Sequence, residues 1–145
     1  MDPRYLLKRW KGNQRYTRRL IEAMPEAHFD FRPVPEVKTF LSQCSHIVTW
    51  LRTHSRFVTE QPMDKLRFPD KAAVLAGFDD FSEQLLTFLQ STTEANLAER
   101  VKVFYGTVPK YFILETMDNH LSHHRGQLII YLRLNAIQPP SYVGW

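Results

Sequence analysis

His120 and His124 stand four residues apart in the stretch from Asp118 to Gln127. On a helix this spacing puts both imidazoles on one face, one turn apart. At about 100° per residue, that face also carries Ile113, Met117 and Tyr131, with Leu121 and Leu128 beside it. The two histidines therefore point where the helix is to be buried. A neutral imidazole there needs partners for its nitrogens, and a metal ion shared by the pair would serve. The pair alone leaves two readings open: satisfied core histidines, or two ligands of a site whose third ligand lies elsewhere.

The helix that must carry them lies in an apolar-periodic run from about Thr107 to Leu134, with Thr107 as its cap and Pro109 in its first turn. Three more long segments have helical periodicity. The first runs from about Pro3 to Met24 and the second from Pro35-Glu36 to about Glu60. The third follows Asp70 as N-cap, with the stripe Val74, Phe78, Phe81, Leu85, Phe88 and Leu89. Ser91 and Glu94 have capping-box spacing and predict a short extra turn to about Arg100. Val101 to Tyr105 alternates as a strand would, without an obvious partner. Pro25–Pro35 and Gln61–Pro69 read as connections, and the segment from Gln138 to Trp145 as a non-helical tail whose aromatics fold back. Four long amphipathic helices predict an all-α four-helix bundle, a single domain over residues 1–145. The connections after the second and third helices are long enough for a crossover.

His46 lies on the second of these segments. The apolar line of the second helix is Val37, Phe40, Leu41, Cys44, Val48 and Leu51, and His46 projects from roughly the opposite side. Its neighbours there are Ser42, Ser45, Thr49 and Thr53. Such small hydroxyl residues suit a cavity wall better than a solvated face, where Lys or Glu is more usual. An exposed His46 on a plain surface is the alternative.

Composition narrows the class. Of 145 residues, 43% are apolar and 23% charged, as in an ordinary globular protein. The net charge is +4, with the excess in the first 24 residues. There Arg4, Lys8, Lys11, Arg15 and Arg18 recur opposite Leu7, Trp10, Thr17, Leu20 and Met24. This is amphipathicity, and it ranks above a nucleic-acid surface. Cys44, the lone cysteine, sits among apolar neighbours and reads as a buried inert thiol in a reducing compartment. No apolar run approaches spanning length, so no membrane role and a cytoplasmic location are expected.

Three stretches resemble the DinB/YfiT-like family of bacterial four-helix-bundle proteins. Phe31 to Val37 resembles the family's segment before the second helix, Thr39 to Ile47 its first metal-ligand segment, and His120 to Leu128 its most distinctive motif. The proline-rich tail after Ile137 is similar too. The resemblance implies an up-down-down-up bundle, frequent homodimers, and a divalent metal ion, often nickel or zinc, on three histidines. Here these would be His46, His120 and His124. One departure is visible: the family's usual helix-ending glycine is Ala136, so Asn135 is expected to supply the left-handed cap.

Three neutral imidazoles leave positions open on the metal, the pattern of a catalytic site. Water or a substrate thiol bound there becomes a nucleophile at neutral pH. Some members of the family are transferases that use a low-molecular-weight thiol, which makes thiol transfer the leading expectation. A metal-dependent hydrolase and a non-catalytic, stress-related metal-binding protein are the alternatives. Gln127 lies near the His120 face and either orients a ligand or makes a packing hydrogen bond. Arg125 is expected in an inter-helix or inter-subunit ion pair, and Gly126 at a close packing contact. His123 lies off the ligand face, and His28 and His54 carry no pattern.

Overall fold

The computed structural model describes residues 1–62 and 66–142. The helices are α1 (Pro3–Ala23), α2 (Phe40–Thr59), α3 (Lys71–Ser91), the short α4 (Glu94–Ala98) and α5 (Lys110–Leu134). A 3-10 turn spans Glu26–His28, and strands β1 (Arg100–Val103) and β2 (Gly106–Pro109) form a hairpin.

Side-chain pairings fix the helix directions. Lys71 Nζ, at the start of α3, donates to the Glu22 and Met24 carbonyls near the end of α1, so α1 and α3 are antiparallel. Arg9 of α1 reaches Asp118 and Asn13 reaches Arg125, so α1 and α5 run the same way. Tyr131, late in α5, donates to the Lys38 carbonyl just before α2, and those two helices oppose. With α1 up, the order is up-down-down-up. Arg52 of α2 meets Asp80 of α3 across the parallel pair.

Each long helix buries one stripe in a shared core. Leu20 and Ile21 of α1, Phe40, Ile47 and Leu51 of α2, Phe78, Phe81 and Leu85 of α3, and Ile113, Met117 and Leu128 of α5 are all buried. Burying one such large side chain contributes about 1.5–3 kcal/mol. Phe88, on the expected third stripe, is only partly buried at its edge. Gly77 permits one close contact: a Cβ there would lie 2.4 Å from a ring carbon of Phe68.

Several boundaries differ from expectation. The second helix starts at Phe40, five residues after Pro35, because Thr39 accepts from the Ser42 N–H and caps it. The chain before it is held by backbone bonds from Phe40 to Phe31 and from Leu41 to Phe29. Val37, placed on the α2 stripe by periodicity, lies outside the helix and is exposed. The cap of α4 is Thr93, accepting from Asn96 N–H, whereas Ser91 bonds back into the last turn of α3.

The partner of Val101–Val103 is the segment assigned to the start of the last helix. Val101 pairs with Val108, and Val103 with Gly106, across a turn at Phe104-Tyr105. Gly106 takes a φ of +141°, a region open to glycine. Pro109 closes the strand, so α5 begins at Lys110. Burial disfavours the Lys110 charge, but hydrogen bonds to Glu99 and Glu60 outweigh it and hold its pKa above the usual value.

At the other end of α5, Ala136 takes the left-handed conformation, φ 57°, and Asn135 does not. Ala136 N–H bonds to Arg133 and Ile137 N–H to Leu132, the paired bonds of a Schellman end. The left-handed position thus stays where the family's glycine would stand. Tyr142 folds back against Tyr16, ring centroids 5.5 Å apart. Trp145 of the tail lies outside the described residues.

Candidate metal centre

His46 from α2 and His120 and His124 from α5 meet through their Nε2 atoms. The His120 Nε2 lies 3.3 Å from that of His46 and 3.2 Å from that of His124. Antiparallel packing of α2 on α5 is what brings residue 46 opposite the 120–124 turn. A tetrahedral ion with metal–nitrogen bonds of about 2.0–2.1 Å holds its nitrogens about 3.3 Å apart. One proton on His120 Nε2 can serve only one of its two contacts, whereas a shared cation serves all three rings. The donor set therefore fits a divalent ion, and the three histidines could hold one.

Two glutamines set the His124 ring. Its Nδ1 lies 2.8 Å from Gln127 Oε1 and 3.1 Å from Gln43 Oε1. Both oxygens are acceptors, so Nδ1 carries the proton and Nε2 presents its lone pair to the other histidines. Gln127 is itself oriented by a 3.3 Å contact from its amide nitrogen to His123 Nε2. His123 is exposed and does not join the cluster.

His120 is set differently. Its Nδ1 is buried with no hydrogen-bond partner. The ring instead lies on Trp50, centroids 3.8 Å apart and planes 9° apart. Burial, then the neighbouring histidines, push the His120 pKa down to about 3. Burial also lowers those of His46 and His124. All three rings are thus neutral donors at pH 7. Of the hydroxyl residues beside His46, Ser42 and Thr49 are exposed and Ser45 and Thr53 are partly buried, so the expected cavity wall is only half formed.

The other flank of α5 holds a different cluster. Buried Arg125 donates to Asn13 Oδ1 at 2.8 Å and to Ser122 at 2.9 Å, with its guanidinium 5.4 Å from the Tyr16 ring centre. Asn13 donates to Asp118 at 2.7 Å, and Arg9 pairs with the same carboxylate at 2.6 Å. The expected contact of Arg125 is thus between helices but runs through Asn13. Gly126 makes no close contact, as a Cβ there would meet nothing within 4 Å. Two surface grooves of about 480 and 470 Å³ flank α3, and none of the three histidines lines them. Cys44 is buried, and burial raises its thiol pKa far above the usual value. No helix among the described residues is long and apolar enough to cross a membrane.

Gln43 and Trp50 border the site without an expectation from the sequence, and His54, read as carrying no pattern, lies behind Trp50. A signal existed: Gln43 lies one turn before His46, and His46, Trp50 and His54 recur every fourth residue.

Solved structures share this fold. A DinB-like protein from Bacillus cereus superposes with a TM-score of 0.83 at 20% identity over 94% of each chain. A DinB-like protein from Bacillus subtilis gives 0.80 at 17% identity, over 97% of this chain and 99% of that one. No curated protein matches the sequence. The family model of the DinB superfamily matches residues 9–128, most of the bundle and all three histidines. By that match the chain belongs to the DinB superfamily.

Proposed function

We propose that this protein is a metal-dependent enzyme of the thiol-transferase type, with His46, His120 and His124 holding one divalent ion, zinc or nickel. The observation that carries this reading is the meeting of three Nε2 atoms from two helices. An ion held there by neutral imidazoles would keep coordination positions free and would favour the thiolate form of an incoming low-molecular-weight thiol. The chain's part is to keep the rings neutral by burial and to fix the His124 lone pair through Gln43 and Gln127.

The surroundings favour thiol transfer over hydrolysis. The hydrogen-bond partners of the three histidines are one another, Gln43 and Gln127, and Lys38 acts on His46 and His124. Hydrolysis of an amide or ester needs a group to protonate the leaving atom, whereas a thiolate displacing a stable anion such as chloride needs none. Lys38 supplies positive charge that suits an anionic thiol. Homodimerisation belongs to the same reading, supported by Ile130 and Leu134, 53% and 56% exposed on the outer face of α5.

The test is conjugation of small thiols to an electrophile such as 1-chloro-2,4-dinitrobenzene by zinc- or nickel-loaded protein. Turnover that vanishes on chelation and in His46→Ala is the expected result. Metal uptake without turnover across a panel of bacterial thiols would leave a non-catalytic metal-binding protein instead.

A further inference from the structure

The two α5 histidines are held by opposite means. His124 has two acceptors on Nδ1. His120 has none, and its buried Nδ1 meets no partner. Its ring plane matches that of Trp50 within 9°, at a centroid distance of 3.8 Å. Trp50 is in turn backed by His54, with centroids 3.5 Å apart and planes 21° apart. His54 is 2% exposed, and its Nδ1 lies 2.9 Å from the Trp50 carbonyl. The His54 Nδ1–H donates to that oxygen and locks the ring flat on the indole. Phe104 and Tyr105, at the tip of the β1–β2 hairpin, close the outer side of His54 at centroid distances of 5.3 and 6.1 Å.

We propose that Trp50 is a positioning residue of the metal centre: clamped against His54, it orients the His120 imidazole by stacking, in the place where a hydrogen bond to Nδ1 would ordinarily do so. The inference rests on the three-histidine reading. An imidazole aims its lone pair in the ring plane, so whatever fixes the plane fixes the direction of Nε2. A flat indole on one face removes tilt while leaving Nδ1 uncommitted. His120 then lacks the added basicity that an Nδ1 acceptor confers. It would be the weaker donor of the α5 pair.

The test compares Trp50→Leu, which fills space without a flat face, with Trp50→Phe, which keeps one. Zinc affinity is read by competition with a chromophoric chelator, and cobalt-loaded protein is read by its visible absorption. The folding of each metal-free variant is checked by circular dichroism and thermal melting. Trp50→Leu is expected to bind zinc about tenfold or more weakly and to alter the cobalt bands. Trp50→Phe is expected to recover most of the affinity and the wild-type band pattern. Wild-type affinity and bands in Trp50→Leu would overturn the inference while leaving the metal centre standing. Equal losses in both variants would also overturn it, since a packing role does not distinguish leucine from a smaller ring. A wild-type protein that takes up neither zinc nor cobalt would remove the metal reading and this inference together.

Discussion

Helix α5 carries polar clusters on two flanks, and they behave differently. Toward α1, Arg9, Asn13, Asp118, Ser122 and Arg125 form one hydrogen-bonded chain: Arg9 and Asn13 donate to Asp118, and Arg125 donates to Asn13 and Ser122. Toward α2, three imidazoles face one another with no carboxylate between them. A closed network of hydrogen-bonded charges holds two helices in register and offers nothing to a ligand. A cluster of like donors with lone pairs facing one point is incomplete without a cation. Comparing the two separates the part of α5 that builds the bundle from the part that could hold a metal ion.

The sharpest way to break the comparison is to remove one imidazole. His120→Ala should weaken zinc binding by at least about a thousandfold, since one of three ligands is lost. The metal-free protein should unfold within about 1 kcal/mol of wild type, because no satisfied network is cut. Competition titration and urea unfolding read the two effects. A large stability loss with unchanged zinc affinity would reverse the roles assigned to the flanks.

Asn13→Ala attacks the other flank. Asn13 is buried and hydrogen-bonds both Asp118 and Arg125. Its loss should cost about 2–4 kcal/mol, as bonds to charged groups are cut and Arg125 stays buried. Thermal melting should show a fall of about 6–12 °C, while zinc affinity of the folded protein stays within about twofold. A comparable collapse of zinc binding would mean that the two clusters are one unit.

Gln43→Ala sharpens the contrast within the metal flank. Losing one of the two acceptors on His124 Nδ1 should reduce zinc affinity by about ten- to a hundredfold, measured by the same titration. An unchanged affinity would assign Gln43 to helix packing alone. The smallest effect belongs to the end of α5. Ala136→Gly relieves a left-handed alanine and should stabilise the protein by about 0.5–1 kcal/mol in urea unfolding. A destabilised variant would contradict the Schellman end described here.

Much of this was legible in the sequence. The helix count followed from apolar spacing, and the α3 cap from Asp70. The His120–His124 face followed from the period, and His46 from its place opposite the α2 stripe together with the family resemblance. What failed were features set by contacts between distant segments. Thr107 and Pro109 suit a helix start and equally a second strand. Only pairing with Val101–Val103 decides between them. Gly126 is expected at a close packing contact, yet a Cβ there would meet nothing within 4 Å. Gln43 and Trp50 share the His46 side of α2, a spacing visible in the sequence, but they acquire roles only once α2 lies antiparallel on α5.

The central claim is that one cation sits among three imidazoles drawn from two helices. Crystals grown with zinc, measured across the zinc absorption edge, test it most directly. The account predicts a single anomalous peak about 2.0–2.1 Å from the Nε2 atoms of His46, His120 and His124. A map with no peak there, or with a peak bound by the α5 pair while the His46 ring points away, would contradict it.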